Sequence, residues 1–262
     1  MLQRSRLLGF FDKPAFICLR TLILMTFRAL AYYFVFNVHL LGHAHAARPL
    51  IVDDARIVDS KACQVESWAR KNTGSFEFWA LPACNFTGNF ELTVGGAMIS
   101  DSGNAKNPNL LFQGKTLFKR MEINGWGTGL AIGAVHNPTI NVERNLTGDL
   151  YAYIPTSFSF RDGRLILNTN IGWLYRRAES SAHHVTFGIG SEILLAEKTW
   201  FIAETFGQSH GGGNPFYHVG FRYWVLQDHI QIDTTYGNRF SSGTDEQWFT
   251  VGLRLISPSF LP

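Results

Sequence analysis

The stretch that decides the fold is YHVGFRYWV, residues 217–225. Tyr217, Val219, Phe221, Tyr223 and Val225 share one parity, and His218, Gly220, Arg222 and Trp224 share the other. A β-strand sends successive side chains to opposite faces, so this spacing makes one apolar row and one polar row. The next stretches repeat it. In QIDTTYGNR (231–239), Gln231, Asp233, Thr235, Gly237 and Arg239 fall together. In WFTVGLRLI (248–256), Phe249, Val251, Leu253 and Leu255 oppose Thr250, Gly252 and Arg254. Upstream, HVTFGIGSEIL (184–194) sets Val185, Phe187, Ile189 and Ile193 against Thr186, Gly188, Gly190 and Glu192.

Twelve such segments can be drawn, at about 63–71, 75–82, 89–100, 109–120, 127–137, 150–160, 164–177, 184–196, 200–210, 216–227, 230–240 and 247–256. Most are longer than the usual globular strand of about 5–6 residues and suit a strand tilted across a membrane. Pro155 sits awkwardly inside one of them, where a missing N–H predicts a bulge or a shorter strand.

Alternation alone does not say which row is inside. A sandwich buries the apolar row; an outer-membrane barrel turns it to lipid and encloses the polar one. Charged residues make up 16% of the chain, against about 25% in a typical soluble domain, so a solvated polar face would be under-supplied. Aromatics stand near many strand ends: Trp173, Tyr175, Trp200, Phe216, Tyr217, Phe240 and Trp248. That placement predicts girdles at the two membrane interfaces. The links alternate in length. RDG (161–163), EKT (197–199) and DH (228–229) are short, whereas DSGNAKNP (101–108), NPTINVERNLTGD (137–149) and the Gly-rich links near 209–215 and 241–246 are longer. Short periplasmic turns, long external loops and an even strand count define bacterial barrels. The expected fold is therefore all-β: a single antiparallel transmembrane β-barrel of about 12 strands, over residues 63–262.

Residues 29–46 carry no Lys, Arg, Asp or Glu, follow Arg20 and Arg28, and end in Ala44-His45-Ala46. A basic region, an apolar run and a small-x-small site describe a secretory signal peptide. Residues 1–46 are expected to be that signal, with Met25 as an alternative start. Of the chain's 23 basic and 20 acidic residues, five and one fall before Ala47, so the remainder carries 18 and 19, a net −1. The basic balance belongs to the leader, and no nucleic-acid partner is expected. Cys63 and Cys84 are the cysteines of the exported part; they match no zinc spacing and are read as one disulfide. No metal or cofactor is expected.

The inward row contains Glu66, Arg70, Glu77, Glu91, Lys115, Lys119, Glu192, Glu204, Arg222, Asp233, Arg239 and Arg254. Asp233 is expected between Arg222 and Arg254, and barrel closure should bring Arg254 near Glu66. Two readings stand: a polar path that selects solutes, or an ion-pair network that fills the barrel. Twelve strands lie between filled eight-strand barrels and open porins. Asp53 and Asp54 lie in the segment 47–62, which is too short for a domain. They either dock into the lumen or sit in a solvated periplasmic lead-in; the lead-in is the preferred reading. A surface hydrolase is the competing class, but SSAHH (180–184) and QSHGGG (208–213) contain no G-x-S-x-G, and neither His183-His184 nor His210 comes with other metal ligands.

Residues 48–69, RPLIVDDARIVDSKACQVESWA, resemble the start of a group of bacterial outer-membrane barrels catalogued as transporters or as the phenol-degradation meta-pathway family. Arg48, Pro49, Leu50, Asp53, Asp54, Ala55, Gln64 and Glu66 carry the likeness, with QGKTLFK (113–119) further on. The resemblance implies a barrel and passage of small organic solutes, and brings no catalytic residues. The chain departs from many such barrels at ISPSFLP (256–262), which continues past the last strand. The expected function is a passive outer-membrane channel for small solutes. Lipids, lipopolysaccharide and the barrel-assembly machinery are the expected partners. A closed structural or loop-binding barrel is the alternative.

Overall fold

The computed structural model describes residues 51–101, 105–136, 148–177, 182–209, 215–240 and 246–262. The expected signal peptide, His210 and most of the 137–149 loop lie outside them. Twelve strands form: β1 (Cys63–Asn72), β2 (Ser75–Asn85), β3 (Phe90–Asp101), β4 (Ala105–Lys119), β5 (Trp126–His136), β6 (Asp149–Phe160), β7 (Leu165–Tyr175), β8 (His183–Ala196), β9 (Thr199–Gln208), β10 (Phe216–Leu226), β11 (Ile230–Arg239) and β12 (Trp248–Ile256). Each pairs antiparallel with its neighbours in sequence, and β1 pairs with β12, so the sheet closes. Closure leaves no edge strand, so the ladders satisfy the main chain without water over nearly all of their length.

The parity rows fall as the sequence implied. Val94, Phe112, Ile132, Ile171, Ile189 and Val251 point outward and are more than half exposed, while Glu66, Glu91, Glu192, Arg222, Asp233 and Arg254 are buried inside. Burying charge and exposing aliphatics inverts the soluble pattern and fits a lipid-facing surface. Arginine at Val251, near the middle of β12, is expected to destabilise the barrel by about 2–4 kcal/mol. The check is the urea midpoint for unfolding from lipid vesicles.

Several expectations need correction. Trp200, Phe216 and Trp248 belong to the inward parity of their strands rather than to an interfacial girdle. Trp248 is buried, and Trp200 packs against the buried cluster of Val58, Ala62, Trp224 and Ile256. Lys119 leaves the lumen because a register shift between Leu117 and Lys119 pairs it with Thr128. Its ammonium then lies 4.4 Å from the Trp126 ring. The segment 101–108 is mostly strand, since Asp101 pairs with Ala105 and Met98 with Pro108. Pro155 makes no bulge. It pairs with Asn170 on β7, while on its β5 side the ladder skips from Thr156 to Tyr153 with the register kept. A residue without N–H leaves such a gap.

The end of the barrel where β1 begins and β12 ends is tied shut. Val58 and Ala62 pack with Trp224 and Ile256. Asn85 Nδ2 donates to the Val58 carbonyl at 2.7 Å, and Lys61 N donates to the Asn85 carbonyl at 2.7 Å. The ISPSFLP tail folds back over this knot: Phe260 N and Leu261 N each donate to the Lys61 carbonyl at 2.9 Å. The Cys63–Cys84 disulfide joins directly opposed residues of β1 and β2, 4.1 Å apart at Cα. It closes a loop of sequence separation 21, worth about 3 kcal/mol on the chain-entropy account. Cys63→Ala/Cys84→Ala is expected to lower the unfolding free energy by that amount; a reducing agent should do the same to the parent and nothing to the variant.

Candidate functional site

The lumen is occupied by the chain's own N-terminal segment. Residues 51–58 run inside the barrel, with Val52, Asp54, Ala55 and Val58 at most 1% exposed. The preferred reading of a solvated lead-in is therefore corrected. An extended segment carries unpaired main-chain donors, which must find partners wherever it is buried, and the wall supplies them. Ile51 N and Val52 N donate to the two oxygens of Glu204 at 2.9 and 2.8 Å. Ala55 N donates to Ser157 Oγ at 2.8 Å, and Val58 N to Glu91 at 2.9 Å.

Charge fixes the register of this segment. Lys115 Nζ lies 3.0 Å from Asp53 and 3.7 Å from Asp54. Tyr153 Oη donates to Asp53 at 2.6 Å. Arg56 bridges Asp54 at 2.7 Å and Glu192 at 2.5 Å. Glu192 is the hub, since it also accepts from Arg222 Nη1 at 2.6 Å and from Asn168 Nδ2 at 2.8 Å. The close fit depends on a missing side chain: a Cβ on Gly188 would stand 2.6 Å from Val52 Cγ2.

The structure places the remaining sequence-derived residues one by one. Arg254 Nε meets Glu66 at 3.4 Å across the closing β1–β12 pair, as expected, and also donates to Gln64 at 2.9 Å. Asp233 stands directly opposite Arg222 on β10, as expected, but faces Gly252 rather than Arg254 on β12. The register puts Arg254 opposite Gln231, and Arg222 gives its Nη1 to Glu192. Asp233 Oδ1, both side-chain ends of Gln231, Arg222 Nε and Nη2, and Arg254 Nη1 are buried without hydrogen-bond partners. They line one wall along β10–β12. Arg70 lies 3.9 Å from Glu77, and Arg239 pairs with Glu246. His183 stacks on Trp173 on the outer face. Sequence reasoning missed His218, which contacts Glu204 at 2.8 Å through Nδ1 and Thr235 through Nε2. It also missed Ser157, Asn168, Gln64 and Tyr153. Their inward parity was the available signal; nothing marked Ser157 and Tyr153 as direct partners of residues 51–58, or Asn168 and Gln64 as supports of Glu192 and Glu91 behind it.

Above the segment the lumen opens into a cavity of about 550 Å³. Ile51 and Val52 form its floor, and Tyr151, Tyr153, Phe206, Phe216, Arg176 and Arg239 stand around it. On the other side of the segment, toward the closed mouth, a pocket of about 20 Å³ remains beside Asp53, Glu91 and Lys115. The passage is thus wide on one side of residues 51–58 and filled at their level.

The family described as "Uncharacterised conserved protein UCP029691" matches residues 36–256. No curated protein matches the chain. Among solved structures, the chain is similar to one titled "KdgM porin", at 10% identity and a TM-score of 0.57, covering 73% of this chain and 98% of that one. A second, "KdgM porin in complex with disordered oligogalacturonate", shares 9% identity at a TM-score of 0.58, with coverage of 73% and 98%. A third, "NanC porin structure in rhombohedral crystal form", shares 9% identity at 0.53, with 74% and 98%. At these identities the likeness is one of fold, a closed antiparallel β-barrel.

Proposed function

We propose that this chain, which belongs to the family described as Uncharacterised conserved protein UCP029691, is a passive outer-membrane channel for small solutes, closed at rest by its own residues 51–58. The observation that carries the reading is the inverted barrel: an apolar exterior, a polar interior, and a cavity that ends on a removable-looking segment rather than on the wall. A barrel built only as scaffold has no need of a lumen whose filler is a separate strip of chain held by side-chain bonds. In this reading residues 1–46 are an export signal, the mouth holding the disulfide and tail faces the periplasm, and the longer links face outward. The resemblance of residues 48–69 to barrels linked with phenol-degradation gene groups supports small organic molecules as the solutes.

The test is reconstitution. The purified protein in planar bilayers and in liposome-swelling assays is expected to conduct weakly, and a variant lacking residues 51–57 to conduct strongly. If neither form passes ions or small neutral solutes, the channel reading fails and the solute-tight structural barrel takes its place.

A further inference from the structure

We propose that the lumen freed of residues 51–57 selects small organic cations, solutes that carry guanidinium or ammonium groups. The proposal deepens the channel reading by naming its solute class, and rests on that reading. Charge at the narrowest level decides what a pore passes, and that level is the one residues 51–58 fill. Five buried carboxylates stand on the wall there: Glu66, Glu91, Glu192, Glu204 and Asp233. The buried cations of the described wall are three, Lys115, Arg222 and Arg254. Three positive charges against five negative leave the wall at −2, and Asp53, Asp54 and Arg56 add −1 more. In the wider part above, Arg70 faces Glu77 at 3.9 Å, Arg239 pairs with Glu246, and Arg176 donates to Gln208 at 3.1 Å. Those cations are engaged and stand where salt screens them.

The segment also marks where such a solute binds. Arg56 is a guanidinium already seated in the lumen, 2.5 Å from Glu192 Oε1. Glu192 and Glu204 are diagonal neighbours on β8 and β9, because Gly190 pairs with Glu204 and Glu192 with Ile202. Diagonal neighbours lie about 7–8 Å apart. Val52 rests on the glycines beside them: a Cβ on Gly188 would stand 2.6 Å from Val52 Cγ2, and one on Gly190 3.6 Å from Val52 Cβ. Departure of the segment leaves a trough floored by these two glycines, with Glu192 at its end and Glu204 beside it. Glu204 then loses the main-chain donors of Ile51 and Val52, and Glu192 loses Arg56. A carboxylate that took two N–H groups takes an ammonium or a guanidinium with the same lone pairs. Phe206 pairs with Gly188 and borders the cavity above, and ring faces attract cations.

Agmatine, with a guanidinium at one end and an ammonium at the other, is the probe, and glutamate is the anionic control. The reconstituted variant lacking residues 51–57 is recorded at pH 8 across a potassium chloride gradient. Potassium is expected to be preferred over chloride about fivefold, the partition that one unit charge at about 4 Å gives in water. Agmatine is expected to block the potassium current, and glutamate to leave it unchanged. In the same background Glu204→Gln should remove most of the block and lower the ion preference, and Lys115→Gln should raise the preference. If the deletion variant does not insert, Asp53→Asn/Asp54→Asn is recorded in its place, since it loosens the segment from Lys115 and keeps the wall intact. A current that prefers chloride, or agmatine that leaves the potassium current unchanged, overturns the proposal while the channel reading stands. A barrel silent in every opened form defeats the channel reading and the proposal with it.

Discussion

Deleting residues 51–57 is expected to raise the conductance of the reconstituted barrel on the order of tenfold, since a twelve-strand barrel has room for a lumen only when nothing else fills it. The deletion removes every ion pair and three of the four wall-directed main-chain bonds that hold the segment. Val58 stays, with its bond to Glu91 and its packing on Trp224, so the closed mouth keeps its apolar seal and disulfide. Gly188→Leu should reach the same end by another route, because its Cβ alone would stand 2.6 Å from Val52. Two unrelated changes with one outcome separate expulsion of the segment from general damage. Single-channel recording measures it. A deletion variant that folds, resists protease and conducts no better than the parent would show that some other part of the lumen limits flow.

Why the barrel could be read from the sequence while its occupant could not is a matter of period. Strand pairing leaves a mark every second residue, and Val219, Phe221 and Tyr223 record it whatever the neighbouring strand does. The same parity rule, applied strictly, places Trp200, Phe216 and Trp248 inside; counting aromatics at strand ends set the rule aside. Asn107 and Pro108 read as turn residues, yet they pair with Ile99 and Met98, because the end of a long hairpin tolerates residues that the middle of a central strand would not.

The segment 51–58 leaves no periodic mark. Half of what holds it is main-chain N–H, which every residue but proline carries, aimed at Glu204, Ser157 and Glu91 on three different strands. Asp53 and Asp54 could be singled out as charged and Lys115 as inward-facing; that the three would meet could not, because sequence gives no distance between a free segment and a wall. Arg254 with Glu66 was legible because both lie on strands that closure must join.

The second large effect is expected at Glu192. Its two oxygens take Arg56 at 2.5 Å and Arg222 at 2.6 Å, and Asn168 adds a third donor at 2.8 Å. Glu192→Gln keeps the shape and removes the charge, leaving two guanidiniums side by side with no shared anion. Removing one partner from a buried charged group costs about 3–5 kcal/mol. The barrel should unfold from lipid at correspondingly lower urea, and the 51–58 segment should become open to protease first, because Arg56 loses its wall contact. Removing the stranded charges together is a different matter. Glu192→Leu/Arg222→Met/Asp233→Asn takes out one cation and the two carboxylates facing it, leaves Arg56 with Asp54, and also removes the two unpartnered Arg222 nitrogens. It should recover most of the loss, short of about 1 kcal/mol for the bond Asn168 gives up. The pair of variants separates an unpaired charge from lost packing. If Glu192→Gln falls within about 1 kcal/mol of the parent, the triad behaves as a hydrated surface pair, and water already reaches the level of the lumen that residues 51–58 fill.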